Sequence, residues 1–248
     1  MDDKVAKDIE TLRAWIRACP KGGMVFFGGA GVSTESGIPD FRSADGLYSQ
    51  HFDYPPEVMV SASFFHEHTP EFYDFYCERM IALDAQPNRA HRKVAQLERE
   101  GTLSAVVTQN IDGLHQAAGS ERVYELHGSV HRNTCLTCGK RYDVHQMLAA
   151  RTGSADGVPR CTCGGVIKPD VVLYEEALDE DVLMGALEAV QRARLLLIAG
   201  TSLAVYPAAS LVHYFQGEHL VIVNRSATPA DRRADLVIPA SIGDALDS

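Results

Sequence analysis

The chain has 248 residues, 46% of them hydrophobic and 23% charged, with a formal net charge of −10. That length fits one large domain or one domain with an inserted module, and the acidic balance argues against nucleic-acid binding, which needs a basic face to neutralise phosphates. No apolar run approaches the ~18 residues of a membrane span, the opening MDDKVAKDIE lacks the apolar core of a secretory signal, and six cysteines without such a signal read as free thiols or metal ligands. A cytoplasmic protein with no membrane contact is expected.

Val5, Ile9, Leu12 and Ile16 recur at helical spacing and predict an amphipathic helix from about Asp3 to Cys19, with Trp15 on the buried face and Gly22-Gly23 ending it. Met24 to Phe27 is a short apolar strand that runs into FFGGAGVSTESGIPDFRS, Phe26 to Ser43. Gly28, Gly29 and Gly31 remove side chains where the backbone must turn tightly, and free N–H groups in such a turn can face a phosphate. Gly37-Ile38-Pro39-Asp40-Phe41-Arg42 then adds a fixed turn, an aromatic ring and a guanidinium, which is too specific for a linker.

Asp45 to Met80 is rich in aromatic residues. Pro55-Pro56 divides it into a loop that could close over a ligand and a helical part, Phe64 to Met80, expected to form a small local core. Asn88 to Glu100 reads as a helix with Ala90, Val94 and Leu97 inward, and Leu103 to Val107 as a strand. That strand delivers Thr108-Gln109-Asn110-Ile111-Asp112-Gly113-Leu114-His115, a dense polar cluster where open α/β sheets bind ligands. Val123 to Leu126 is another strand, and it delivers His127-Gly128.

Cys135-Leu136-Thr137-Cys138 and Cys161-Thr162-Cys163 form two thiolate pairs with 22 residues between them. The pairing resembles a zinc ribbon, whose four thiolates close a tetrahedron and leave no open position, so the metal would be structural. The second pair is Cys-x-Cys, a tighter knuckle; if Cys161 cannot reach, His131 or His145 could supply the fourth ligand. Cys19 and Cys77 read as buried small hydrophobes.

Val182 to Val190 gives a helix, and Leu195 to Ala199 a buried strand ending in Gly200-Thr201-Ser202. Tyr206-Pro207 opens a further helix, Leu220 to Val223 is a strand ending in Asn224-Arg225, Ala234 to Ile238 is the last strand, and Ile242-Gly243-Asp244 starts the final turn. Helices alternating with continuous apolar strands imply an α/β fold with a parallel sheet covered on both faces. A dinucleotide-sized ligand suits its polar edge: Gly29 to Gly31 and Gly200-Thr201-Ser202 offer donors to a pyrophosphate, and Asn224 a contact to a ribose hydroxyl. The spacing is not Gly-x-Gly-x-x-Gly and no acidic residue fills the ribose position of hydride-transfer enzymes. A dinucleotide site with a His and an Asn-Ile-Asp cluster points to chemistry on the nicotinamide ribose itself.

Gly29-Ala30-Gly31 with Ser36-Gly37-Ile38-Pro39 and Phe41-Arg42, then Thr108 to His115, His127-Gly128, the cysteine pairs, Gly200-Thr201-Ser202-Leu203 and Asn224, resemble in order the motifs of the sirtuins, NAD-dependent protein deacylases. Gly28 stands where that family usually has Thr. The resemblance implies a Rossmann-like NAD-binding domain (1–44, 94–130 and 169–248), a helical cofactor-loop insertion (45–93) and a zinc-binding module (131–168). It implies that Asp112 and the Ile111 backbone hold the nicotinamide carboxamide and that Gln109 and Asn110 address the ribose. Phe41 would shield the ring pocket and Arg42 and Ser33 lie near the phosphates, with Ala30, Thr34, Thr201, Ser202, Asn224, Arg225 and Ile242 lining the rest.

The implied mechanism has the acyl-lysine oxygen attack the ribose carbon and expel nicotinamide, after which His127 acts as general base on a ribose hydroxyl that attacks the resulting imidate. Val171, Val172, Leu173 and Tyr174 on one side and Leu203, Ala204, Val205 and Tyr206 on the other would clamp an acetylated peptide as an added strand, with Glu175 in place of a usual Gly. Family members that prefer acidic acyl groups carry a Tyr and an Arg three residues apart; the matching positions are Tyr73 and Tyr76, so a deacetylase or remover of other neutral acyl groups is expected. A monomer is expected. The rival readings are a protein ADP-ribosyltransferase, a dehydrogenase on the same fold and a non-catalytic reader of acylated peptides.

Overall fold

The computed structural model describes residues 2–41, 46, 52 and 54–246. Helix α1 (Asp3–Ala18) is capped by the Asp2 carboxylate, which accepts a hydrogen bond from the Lys4 N–H, and it buries Ile9 and Leu12. Strand β1 (Met24–Gly28) follows, buried along its whole length. Three short helices come next: α2 (Pro56–Met59), α3 (Ala62–Glu67) and α4 (Thr69–Arg79). Helix α5 (Arg89–Arg99) leads to β2 (Leu103–Thr108), the one-turn α6 (Leu114–Ala117) and β3 (Val123–Glu125). Strands β4 (Gly128–Cys135) and β5 (Arg141–Asp143), helix α7 (Val144–Thr152) and strand β6 (Ile167–Val171) follow, with Cys135 at the end of β4, Cys138 in the loop after it, and Cys161 and Cys163 in the loop before β6. The chain finishes with α8 (Glu180–Arg192), β7 (Leu195–Ala199), β8 (His219–Val223), β9 (Leu236–Ile238) and α9 (Ile242–Leu246).

The expected parallel sheet is present, with six strands in the order β3-β2-β1-β7-β8-β9, every pairing parallel. Successive side chains of each strand point to opposite faces, and both faces are covered. Met24 and Phe26 pack with Leu12, Val94, Val106 and Leu197 on one side. Val25 and Phe27 pack with Leu196, Ile198, Ala186 and Val190 on the other. Burying each Phe of this pair contributes about 1.5–3 kcal/mol, which is why the strands read as continuous apolar runs. From β1 the chain builds outward through β2 and β3, and from β7 it builds the opposite way. The crevice between the carboxyl ends of β1 and β7 is thus the switch point at which open α/β sheets bind ligands.

A second, antiparallel sheet of three strands has the order β5-β4-β6. The aromatic segment expected to form a local core instead shares one with this sheet: Phe64, Phe65, Phe72, Tyr73 and Tyr76 pack against Val130, Cys135, Ile167 and Val171. The helix expected over Phe64 to Met80 is broken at His68 (φ −131°, ψ 49°). Pro70 explains the break, because its ring would clash with the carbonyl one turn back in a continuous helix. The segment expected to be helical after Pro207 is a 3₁₀ stretch, Ala208–Tyr214. Among the described residues no helix is long and apolar enough to cross a membrane.

Candidate functional site

Two glycine turns meet at the switch point. The Gly29 N–H donates to the Ala199 carbonyl at 3.2 Å, and the Gly31 N–H to the Gly200 carbonyl at 2.8 Å. A Cβ on Gly31 would sit 2.8 Å from the Gly200 Cα, and one on Gly200, whose φ is +59°, would sit 2.5 Å from the Val32 nitrogen. Backbone therefore packs on backbone, and any side chain at either position would force the strand ends apart. Ala30, Gly31, Gly200, Thr201 and Ser202 line the resulting cleft. Among the described residues, no hydrogen bond uses the N–H of Ala30 or Ser202, so these donors remain for an anion.

Gln109 stitches the rim together. Its N–H donates to the Gly28 carbonyl at 2.9 Å, its side-chain oxygen accepts from the Thr201 hydroxyl at 2.7 Å, and its backbone carbonyl accepts from His127 Nδ1 at 2.9 Å. A carbonyl only accepts, so Nδ1 carries the proton and Nε2 is left with its lone pair. Burial pulls the His127 pKa below the ordinary 6.5, against the smaller upward effect of the Gln109 bond. The Nε2 of Gln109 is buried with no partner. A buried donor without an acceptor is costly, and this one belongs to a residue that lines the cleft.

Next to it runs a second chain of hydrogen bonds. Asn110 Nδ2 donates to the Ser33 hydroxyl at 3.0 Å, and that hydroxyl donates to Asp112 Oδ2 at 2.6 Å. The other Asp112 oxygen accepts from the Leu114 N–H at 2.9 Å. Ser33, Phe41, Asn110, Ile111, Asp112 and His127 all border the same cleft, so a serine from the glycine turn and three residues from the loop after β2 converge although about 80 positions separate them.

The segment after β6 forms the opposite wall. Val172 donates its N–H to the His127 carbonyl at 3.0 Å, which fixes the wall relative to the imidazole, and Tyr174 exchanges backbone hydrogen bonds with Val60 and Ala62. Val171, Val172, Leu173 and Tyr174 line the cleft, as do Val205 and Tyr206 across from them. Glu175, at the position where a Gly was expected, has φ +76°. Its carboxylate accepts from both the N–H and the hydroxyl of Ser63, which holds the left-handed conformation that a glycine would adopt freely.

Some expected residues lie elsewhere. Gly29 and Thr34 sit beneath the turn, with the Thr34 hydroxyl donating to the Gly31 carbonyl. Leu203 and Ile242 are 4% and 6% exposed and belong to the two apolar layers of the sheet. Ala204 and Arg225 do not border the cleft, whereas Asn224 does. Arg42 lies outside the described residues. Tyr76, one of the two positions matched to acyl selection, lines the cleft as well. Sequence reasoning missed Val60, Arg79, Met80, Ser226 and Ala227, which also line it, because no local motif marks them. Ile38, Pro39 and Asp40 line it too, and these stood in plain view within the glycine-rich motif.

All four cysteines of the two pairs come together, their Sγ atoms within 4.8 Å of one another. The Cys135–Cys163 and Cys138–Cys161 sulfurs are each 3.6 Å apart. A tetrahedron of thiolates about 2.3 Å from zinc has edges of about this length, so the set fits a structural zinc with Cys161 as a ligand. His131 and His145 are not in the cluster. His131 instead directs Nε2 at the Asp112 carbonyl, 3.0 Å away.

The Sir2 family model matches residues 29–207. An NAD-dependent protein deacetylase of Clostridium acetobutylicum is 55% identical over 228 residues, covering 91% of each chain; one from Cutibacterium acnes is 53% identical over 241 residues, covering 96% of each. Among solved structures, a Sir2 complex with a p53 peptide and NAD+ superposes with a TM-score of 0.85 at 40% identity, over 96% of this chain and 95% of that one. A Sir2 bound to an acetylated peptide does so with a TM-score of 0.85 at 38% identity, over the same shares. With the glycine turns, the half-buried imidazole and the four thiolates already in place, these matches mean that the chain belongs to the Sir2 family.

Proposed function

We propose that the chain is an NAD-dependent protein lysine deacetylase that moves the acetyl group from lysine to ADP-ribose and releases nicotinamide. The observation that carries this is His127: half-buried, neutral, its Nδ1 proton committed to Gln109, and bordering a cleft that dinucleotide-type turns and a strand-like wall share. When bound, NAD supplies the electrophilic ribose carbon that accepts the acyl oxygen.

In this reading the N–H groups of Ala30 and Ser202 hold the phosphates, with Gly200 and Thr201 lining that end of the cleft, and Gln109 Nε2 and Asn110 address the nicotinamide ribose. Asp112 and the Ile111 backbone hold the carboxamide, Phe41 shields that end from water, and Arg42 assists at the phosphates. Thr34, Arg225 and Ile242 support the cleft from behind it, and Asn224 reaches the second ribose. His127 Nε2 takes a proton from a ribose hydroxyl, a step for which positioned bases contribute about 10²–10⁴-fold. The walls Val171 to Tyr174 and, opposite, Val205 and Tyr206 grip the peptide backbone as an added strand. A bound zinc ion would brace the second sheet through Cys135, Cys138, Cys161 and Cys163.

The same reading divides the chain into an NAD-binding domain (1–44, 94–130, 169–248), a helical insertion (45–93) and a zinc module (131–168), and takes it as a cytoplasmic monomer acting on acetylated proteins. Its formal net charge of −10 supports a partner other than nucleic acid. Mass spectrometry of an acetyl-lysine peptide incubated with NAD tests the proposal. Deacetylated peptide, nicotinamide and acetylated ADP-ribose are expected in equal amounts; transfer of ADP-ribose to protein, or an unchanged dinucleotide, would refute it.

A further inference from the structure

We infer that His131, on the zinc-bearing sheet, is a positioning residue that fixes the Ile111–Asp112 loop and thereby sets the affinity for NAD and the sensitivity to nicotinamide. The inference rests on the deacetylase reading, in which that loop holds the carboxamide.

The loop between β2 and α6 is irregular, and among the described residues its Ile111–Asp112 segment takes part in four hydrogen bonds. Two orient the Asp112 carboxylate, from the Ser33 hydroxyl at 2.6 Å and the Leu114 N–H at 2.9 Å. The other two hold its backbone, and both come from β4. The Val130 N–H donates to the Ile111 carbonyl at 3.0 Å, and His131 Nε2 donates to the Asp112 carbonyl at 3.0 Å. Strand β4 runs on to Cys135, so the carboxamide loop hangs from the sheet that carries the thiolates.

Gly113 is the seat for the ring. With φ +72° it already takes a conformation that side chains disfavour, and a Cβ there would lie 2.7 Å from His131 Cδ2 and 2.8 Å from Nε2. The imidazole thus lies over the turn and donates back to it, closing the loop from outside the cleft. His131 itself neither borders the cleft nor belongs to the thiolate cluster. Its exposed side chain can be replaced without opening a cavity. Asp112, by contrast, cannot keep its carboxylate aimed at a ligand if its own backbone drifts, because the Ser33 and Leu114 bonds turn the side chain but do not anchor the peptide.

His131→Leu removes the donor, and His131→Gln keeps an N–H at similar reach. Calorimetric titration of each holoprotein with NAD alone, together with the nicotinamide inhibition constant and separate KM values for NAD and peptide, gives the test. For His131→Leu the NAD dissociation constant and the nicotinamide inhibition constant are expected to rise together by about three- to tenfold, the worth of one hydrogen bond. The peptide KM and the zinc content should stay at the wild-type values, and His131→Gln should recover most of the loss. Unchanged constants in His131→Leu, equal impairment of both variants, or loss of zinc alongside the effect would overturn the inference. A wild-type protein that releases no nicotinamide in the presence of acetylated peptide would sink the deacetylase reading instead, whereas an active wild type matched by His131→Leu sinks only this one.

Discussion

His127 Nδ1 lies 2.9 Å from the backbone carbonyl of Gln109, and the side-chain oxygen of that same glutamine takes the Thr201 hydroxyl at 2.7 Å. One residue at the end of β2 therefore orients the imidazole with its backbone and ties down the second glycine turn with its amide. The imidazole and the second glycine turn share a single support, so neither can shift without the other.

His127→Ala should lower turnover by about 10²–10⁴-fold, the usual contribution of a positioned base, while acetyl-peptide affinity survives. Burial holds the imidazole below its ordinary pKa of 6.5, so the neutral, proton-accepting form persists to lower pH than in a free histidine. In kcat against pH, the acid limb should fall at a pH below 6.5; a limb above that value would contradict the buried geometry.

Two further histidines behind the glycine turn predict acid sensitivity of the fold. His91 and His115 pack edge to face, 4.7 Å apart, and burial lowers the pKa of both, that of His91 to about 4. A folded-state pKa below the unfolded one means that the unfolded chain binds more protons, so stability is full above the unfolded value and is lost as pH falls from about 6.5 toward 4. Denaturant midpoints measured across that window should decline steadily, and His115→Phe should flatten the slope.

Cys161→Ser should remove one corner of the thiolate tetrahedron. Zinc per chain, measured by atomic emission, should fall well below one, and the thermal midpoint should drop as the small second sheet loses its brace. A variant that keeps zinc and stability would show that three thiolates suffice and would return His131 or His145 to consideration.

Glu175→Gly exchanges a residue at φ +76° for the one that prefers this conformation, but it also releases both Ser63 contacts. The loop following Tyr174 should loosen, and the KM for acetylated peptide should rise by about two- to fivefold, in keeping with a lost hydrogen-bonded tie, with the KM for NAD unaffected. Equal KM values for the variant and the wild type would mean that the Ser63 contact has no part in shaping the peptide wall.

Much of the site could be read from the chain because its chemistry is contiguous. Gly29-Ala30-Gly31, the run from Gln109 to Asp112, His127 and the cysteine pairs each occupy a few consecutive positions at a strand end or knuckle, and local residue type dictates their geometry. Val60 and Met80 reach the cleft from the helical insertion, and only packing against the second sheet puts them there. Leu203 and Ile242 show the converse: both were expected at the ligand or peptide site, yet apolar burial draws them into the layers of the main sheet.

By itself the sequence determined the alternation of helices and buried strands, the glycine turns, the thiolate set and the imidazole at a strand end, because backbone freedom, apolar periodicity and ligand spacing are local properties. Tertiary structure alone decided which rim these pieces share, since the order β3-β2-β1-β7-β8-β9 sets Gly31 against Gly200. It also turned His131 away from the metal cluster toward the Asp112 carbonyl. Four thiolates already satisfy a tetrahedron, and the Asp112 carbonyl in the irregular loop beside β4 lies 3.0 Å from the ring nitrogen.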